Sequence, residues 1–116
     1  MKGTQGGGVR VPHSFEIRKL AGGPGGTARL GLWGQLDVEG APALRGELER
    51  LLDEGVRQVE LDFGHVSFLS SMGVGTVIAA IGEYRDVGGD VVIGGLSQEL
   101  LGIFRILDLL DYITVR

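Results

Sequence analysis

The sequence predicts an α/β fold in which helices cover a mixed, mostly parallel β-sheet. Segments in which apolar and polar residues alternate, as in strands, give way to segments with apolar residues every three or four positions, as in helices. Their order is β-β-α-β-α-β-α-β, and such strand–helix alternation is typical of a parallel sheet with crossover helices. The 116 residues are enough for one domain with its own core.

The beginning of the chain predicts a disordered lead-in followed by an antiparallel hairpin. Residues 1–12, "MKGTQGGGVRVP", contain a glycine run and no clear periodicity, so the domain is expected to span residues 13–116. Strands are predicted at 13–20 and 27–34, and the glycine-rich stretch "AGGPGG" between them predicts the turn. Trp33, at the end of the second strand, is expected in the core.

After the hairpin, helices alternate with strands. In the first helix Leu44, Leu48 and Leu51 share one side, and Gly55 ends it. The predicted elements are, in order, a helix within 35–55, a strand at 56–63 whose apolar run continues to 69, a helix at 71–87, a strand at 90–95, a helix at 97–110 and a strand at 112–116.

Composition excludes several classes of function. Lys and Arg total 11 against 15 Asp and Glu, a net charge of −4 without a basic cluster, which disfavours nucleic acid and anionic membranes as partners. The chain has no cysteine, which excludes disulfides and cysteine metal sites. No apolar run reaches the ~20 residues that cross a bilayer. The N-terminus lacks a secretion signal, so a cytoplasmic protein is expected.

Two adjacent serines, Ser70 and Ser71, stand where the third predicted strand meets the second helix. A serine nucleophile on such a turn occurs in the G-x-S-x-G elbow of α/β-hydrolases, but Leu69 occupies the first glycine position. Both histidines, His13 and His65, precede the serines, so the order that this fold requires is missing. We therefore expect no catalysis by this chain. His65 is expected in a loop, and no metal site is expected around it.

Nucleotide-binding motifs are incomplete at the same place. Gly73 and Gly75 begin a G-x-G-x-x-G fingerprint, but Ile78 occupies its third glycine position, and no Gly-Lys-Ser/Thr of a P-loop follows. No cofactor is therefore expected. Two interpretations of the serines remain open. A hydroxyl there either caps the helix, which contributes about 1 kcal/mol, or accepts a phosphate, whose charge is stabilised at a helix N-terminus.

The stretch "LDFGHVSFLSSMGVGTVI" resembles the signature of STAS domains in anti-sigma factor antagonists, D-L-S-G-V-x-F-[LM]-D-S-[ST]-G-[LIV]. The positions that match are Asp62, Val66, Phe68, Leu69, Ser71 and Gly73. "WGQLD" is similar to the family's G-E-L-D, and the segment from "GGDVVIGG" onwards is similar to its later strand and helix. The resemblance therefore covers roughly residues 13–116. It implies the STAS fold, with helices packed mainly on one face of the sheet.

The resemblance also implies a function. In this family the serine that matches Ser71 is phosphorylated by a GHKL-type serine kinase that is also the anti-sigma factor. The unphosphorylated protein binds that kinase and releases the sigma factor, and a PP2C-type phosphatase restores it. The residues expected at the partner-binding surface are Asp37, Ser70, Ser71, Met72, Gly73 and Val74.

Three residues depart from the family pattern. Ser70 replaces an aspartate, Met72 replaces a serine or threonine, and Gln35 replaces a glutamate. The missing carboxylate removes a negative charge beside the hydroxyl, and Ser70 becomes a minor alternative phosphate acceptor. Asp37 also has a simpler interpretation as a helix cap. The alternative function is a STAS subunit of a larger signalling or transporter-associated assembly, which uses the same surface without phosphorylation.

The last predicted helix, at 97–110, is apolar on more than one side. Leu107 belongs to the stripe that the sheet should cover, whereas Leu101 and Ile106 lie outside it. We hypothesise that this excess contacts a partner or forms a homodimer with a second copy of the chain. The alternative is that the C-terminal strand buries it.

Overall fold

The computed structural model describes residues 9–11, 14–23 and 26–116. These residues form, in order, β1 (Val9–Val11), β2 (Phe15–Gly23), β3 (Thr27–Leu36), α1 (Gly40–Asp53), β4 (Gln58–Leu69), α2 (Ser71–Asp86), β5 (Asp90–Gly94), α3 (Gln98–Ile106) and β6 (Thr114–Val115). The predicted α/β class and element order are confirmed, with one strand added at the start.

The strands form one sheet in the order β1-β2-β3-β4-β5-β6. The pairs β1–β2 and β2–β3 are antiparallel, and the three later pairs are parallel. The predicted hairpin and mostly parallel sheet are therefore confirmed. β2 continues to Gly23, so part of the predicted turn belongs to a strand.

The added strand β1 lies within the lead-in that was predicted to be disordered. Val9 pairs with Ile17 and Val11 with Phe15, which corrects that prediction for these three residues. A three-residue segment has too few positions to show alternation, so its pairing depends on the neighbouring strand. The rest of the predicted lead-in, residues 1–8 and 12, lies outside the described residues.

The two faces of the sheet differ in burial. The side chains of β3 and β4 that point toward the helices are buried: Ala28, Leu30, Leu32, Val59, Leu61 and Phe63. On the opposite face Arg29 forms ion pairs with Glu60 (3.6 Å) and Asp62 (3.5 Å), and these side chains remain in contact with solvent. Helices therefore pack on one face, and charged pairs occupy the other.

Trp33 and His65 lie on this open face, which corrects two predictions. Trp33 was expected in the core, but its indole stacks on the His65 ring at 5.0 Å between centroids. The Arg18 guanidinium lies 4.6 Å from the centre of the indole. Gly31 makes room for the indole, because a Cβ at this position would lie 2.6 Å from it. His65 is part of β4 and not of a loop.

Helix α3 is shorter than predicted, because it ends at Ile106 and Asp108 adopts a φ of 59°. Leu107, expected against the sheet, therefore lies beyond the helix and is exposed. Leu101 is partly buried, whereas 84% of Ile106 is exposed. The contact through residues 97–110 stays a prediction, and Ile106 is the side chain that it would cover.

Tyr84 connects helix α2 to helix α1. It is among the largest fully buried side chains, and its hydroxyl donates a hydrogen bond to the carbonyl oxygen of Leu48 at 2.7 Å. This bond joins α2 to α1. Burial, with a contribution from the carboxylate of Glu47, raises the pKa of Tyr84 to about 12.

We predict that Tyr84→Phe changes how stability depends on alkaline pH. Burial favours the neutral phenol, so the stability contributed by Tyr84 is complete below pH 10 and is lost between pH 10 and about 12. At neutral pH the free energy of unfolding of the variant should be about 1 kcal/mol lower, because the hydrogen bond to Leu48 is lost. Urea unfolding across this pH range measures both effects. Tyr112→Phe, at the exposed tyrosine, is the control. Parallel pH curves for wild type and Tyr84→Phe would contradict the prediction.

Candidate functional site

The serine pair and Asp37 lie at the same end of the sheet. Strands β3 and β4 are parallel and end together, since Leu36 pairs with Leu69. Asp37 follows the first of these strands and Ser70 the second. The backbone N–H of Ser70 donates to the carbonyl oxygen of Leu36 at 3.1 Å, which holds the two strand ends together.

The two serines have different environments. Ser70 is the N-cap of α2: its hydroxyl oxygen accepts from the backbone N–H of Gly73 (3.1 Å), and its O–H donates to the carbonyl oxygen of Leu36 (3.3 Å). Ser71 is the first residue of the helix and is exposed. No residue in the described part of the chain hydrogen-bonds to the Ser71 hydroxyl. Ser70 therefore stabilises the helix, and Ser71 is presented to solvent.

Asp37 lies in the turn before α1 and is not its N-cap, which is Glu39, but the Asp37 carboxylate bonds to the start of the helix. Its Oδ1 accepts hydrogen bonds from the backbone N–H groups of Glu39 (3.0 Å) and Gly40 (3.1 Å). The side chain is partly exposed. These bonds hold the turn that leads from β3 into α1.

Glycine at position 73 is required by packing. A Cβ there would overlap the carbonyl oxygen of Leu36 and would lie 2.9 Å from Cδ1 of Leu69. A Cβ at Gly75, two residues later on the exposed side of the helix, would meet nothing within 4 Å. Packing therefore requires glycine at position 73 but not at position 75. Gly73 allows the helix to begin directly against the end of β3.

The predicted partner-binding residues divide by exposure. Ser71 and Met72 are exposed, and Asp37 and Ser70 are partly exposed. Gly73 and Val74 are buried, so they support this surface from below and offer no side chain to a partner. The whole set is contiguous in the fold.

Sequence reasoning missed two exposed apolar residues at this end, Val38 and Phe68. The sequence places Phe68 in one apolar run with Val66 and Leu69. Phe68 is exposed, however, whereas Val66 and Leu69 are buried. Two buried residues three positions apart cannot follow strict alternation, and the register of β3 and β4 shifts here. The exposure of Val38 could have been predicted from the sequence, because this apolar residue stands alone between the acidic residues Asp37 and Glu39.

The electrostatics of the α2 N-terminus favour an anion. The first turn of the helix contains no acidic residue, so no side chain there compensates the partial positive charge of the helix end. A phosphate on Ser71 would lie beside the first backbone N–H groups, where a negative charge is stabilised.

Other kinds of site were searched for in the described residues. They contain no group of three or more His, Cys, Asp or Glu side chains placed to hold a metal ion. No helix among them is both long enough and apolar enough to cross a membrane.

The fold and this site define the class of protein. The STAS domain family matches residues 23–116, and the chain belongs to this family. It is similar to the anti-sigma-B factor antagonist of Bacillus subtilis (strain 168), with 29% identity over 87 residues that cover 75% of this chain and 79% of that protein.

Solved structures show the same fold. The anti-sigma factor antagonist SpoIIAA in its unphosphorylated form is 21% identical and aligns with a TM-score of 0.72, over 89% of this chain and 88% of that one. The phosphorylated form of SpoIIAA from Bacillus aligns with a TM-score of 0.67 at 21% identity, over 89% and 91%. At this identity the similarity establishes the architecture alone.

We predict opposite effects of alanine at Gly73 and Gly75. Gly73→Ala forces a Cβ against Leu36 and should lower the free energy of unfolding by roughly 1–3 kcal/mol. Gly75→Ala meets no neighbour and should raise it by up to about 1 kcal/mol through helix propensity. Urea unfolding of both variants beside wild type measures the difference. Equal effects would show that Gly73 is not held against β3.

Proposed function

We propose that this chain is an anti-sigma factor antagonist. In this proposal its unphosphorylated form binds an anti-sigma factor that is also a serine kinase, and phosphorylation of Ser71 ends the binding. The observation that carries the proposal is the exposed Ser71 hydroxyl at the first position of α2. The resemblance to the B. subtilis antagonist supports it, as does the existence of SpoIIAA in a phosphorylated form.

Phosphoryl transfer favours Ser71 over Ser70 on physical grounds. The acceptor oxygen must reach the γ-phosphate in line, inside the kinase active site. The Ser71 hydroxyl is exposed and breaks no internal hydrogen bond. Transfer to Ser70 would break its bonds to Gly73 and Leu36 and remove the helix cap, which contributes about 1 kcal/mol.

The serine at position 70 is compatible with this switch although the family pattern has an aspartate there. Serine and aspartate are both preferred N-cap residues, since each offers an oxygen to the N–H groups of the first turn. Ser70 performs this capping in the structure. The substitution therefore keeps the start of α2, and with it the exposure of Ser71.

The switch itself acts through charge. A phosphoserine carries about −1.5 to −2 charges at neutral pH. The N-terminus of α2 tolerates this charge, so the domain stays folded. A partner surface that fits the neutral hydroxyl closely must instead desolvate the phosphate, which is costly. Kinase and phosphatase activities belong to the partners: a GHKL-type kinase adds the phosphate and a PP2C-type phosphatase removes it.

We predict that a single phosphate is added at Ser71. The purified chain is incubated with Mg-ATP and, one at a time, with the GHKL-type serine kinases of the source organism, and its intact mass is measured. One kinase should add one phosphate to wild type and to Ser70→Ala, and none to Ser71→Ala. Absence of phosphate with every kinase would favour the alternative of a STAS subunit in an assembly that is not switched by phosphate.

We predict that charge at position 71 weakens partner binding while the domain stays folded. Ser71→Ala should bind the kinase identified above as well as wild type does. Ser71→Asp, and wild type phosphorylated in advance, should bind at least tenfold more weakly, as expected for burying an unpaired charge. Isothermal titration calorimetry measures the Kd, and thermal unfolding confirms that each form is folded. Equal Kd values for all forms would remove Ser71 from the interface.

A further inference from the structure

One group of exposed apolar side chains lies at the end of the sheet that carries Ser71. Large exposed apolar side chains among the described residues are Leu20, Val38, Phe68, Met72, Val87, Ile106, Leu107, Tyr112 and Val115. Three of them, Val38, Phe68 and Met72, lie where β3 and β4 end and α2 begins. Single exposed apolar residues are ordinary, but a group of them at one place indicates an interaction surface.

Phe68 and Met72 lie on two sides of Ser71. Phe68 is exposed at the end of β4, next to Leu69, which is buried. Met72 lies on the helical side, where it lines the mouth of a groove of about 330 Å³ between α1 and α2. The groove continues along Gly75 and Thr76 and is also lined by charged side chains of both helices. In the chain, the serine that accepts phosphate in the proposed function thus lies between two exposed apolar residues.

The charged side chains of this surface lie away from Ser71: Arg45, Glu49 and Glu83 line the groove between α1 and α2. The first turn of α2 has no acidic residue, and Ser70 and Gln35 are neutral. Oδ1 of Asp37 already accepts two backbone hydrogen bonds. Closest to Ser71 in the chain, the exposed side chains are those of Phe68 and Met72, which are apolar and match an apolar surface on the partner.

We propose that Phe68 and Met72 determine which kinase binds this chain, by packing against an apolar surface beside the kinase active site. This inference rests on the proposed function and extends it, because it names the chemistry of the contact. Each side chain is about half exposed, 51% for Phe68 and 49% for Met72. Burying about half of that remaining area corresponds to about a tenfold change in affinity for each residue.

An apolar contact also explains why one phosphate is enough to end binding. Water must leave the apolar surfaces when the partner docks. A phosphate between Phe68 and Met72 would lose its hydration in the same step without gaining a cationic partner from this chain's first turn. The penalty arises at the interface, so no rearrangement of the fold is needed.

The test replaces exposed apolar residues by polar ones and compares positions that are about equally exposed. Phe68→Ser and Met72→Ser remove the proposed contacts, and Met72→Gln retains side-chain length and helix propensity while removing apolar character. Val87→Ser is the control, because Val87 is 47% exposed and lies at the opposite end of α2. Binding to the kinase that modifies Ser71 is measured by calorimetry in the Ser71→Ala background, at low and at high salt. Phosphorylation kinetics are measured with Ser71 present.

Each of the three variants should raise the Kd and KM about tenfold, with kcat changed less than twofold and the loss equal at both salt concentrations. Val87→Ser should behave as wild type, and thermal unfolding should be similar for all. Equal binding by every variant, an equal loss for Val87→Ser, or a loss that disappears at high salt would overturn the inference and leave Ser71 phosphorylation in place. If no kinase modifies Ser71, the proposed function fails and this inference fails with it.

Discussion

The carbonyl oxygen of Leu36 is the point on which the functional end of this domain depends. It accepts hydrogen bonds from the backbone N–H of Ser70 at 3.1 Å and from the Ser70 hydroxyl at 3.3 Å. The Cα of Gly73 packs so close to this oxygen that no side chain fits between them. Helix α2 therefore begins directly against the end of β3.

This constraint separates two hydroxyls that are adjacent in the chain. Ser70 is used by the fold, since it closes the first turn of α2 and bonds to β3. Ser71, one residue later, is turned outward because the following turn must bring Gly73 and Val74 inward. A rigid cap thus presents a free hydroxyl, and the exposure of Ser71 depends on the same contacts that bury its neighbours.

The rest of the molecule holds α2 in place. On its inner side α2 packs on the sheet, and the hydrogen bond from Tyr84 to Leu48 joins it to α1. Parallel sheets are usually covered on both faces, but here ion pairs such as Arg29–Glu60 and the stack of Trp33 on His65 occupy the second face. The open face is thereby polar and solvated, in contrast to the exposed apolar side chains of Val38, Phe68 and Met72 at the end of the sheet.

The amino-acid sequence by itself determined the class of fold, the order of the elements from β2 onwards and the position of the serine pair, because hydrophobic periodicity and capping are local properties. The outcomes that periodicity could not predict were non-local. The pairing of β1, the outward position of Trp33 and the exposure of Phe68 depend on strand neighbours and on a shift of register. The division of roles between Ser70 and Ser71 was also decided by tertiary structure, because it depends on the Leu36 carbonyl, a group 34 residues away in the chain from Ser70.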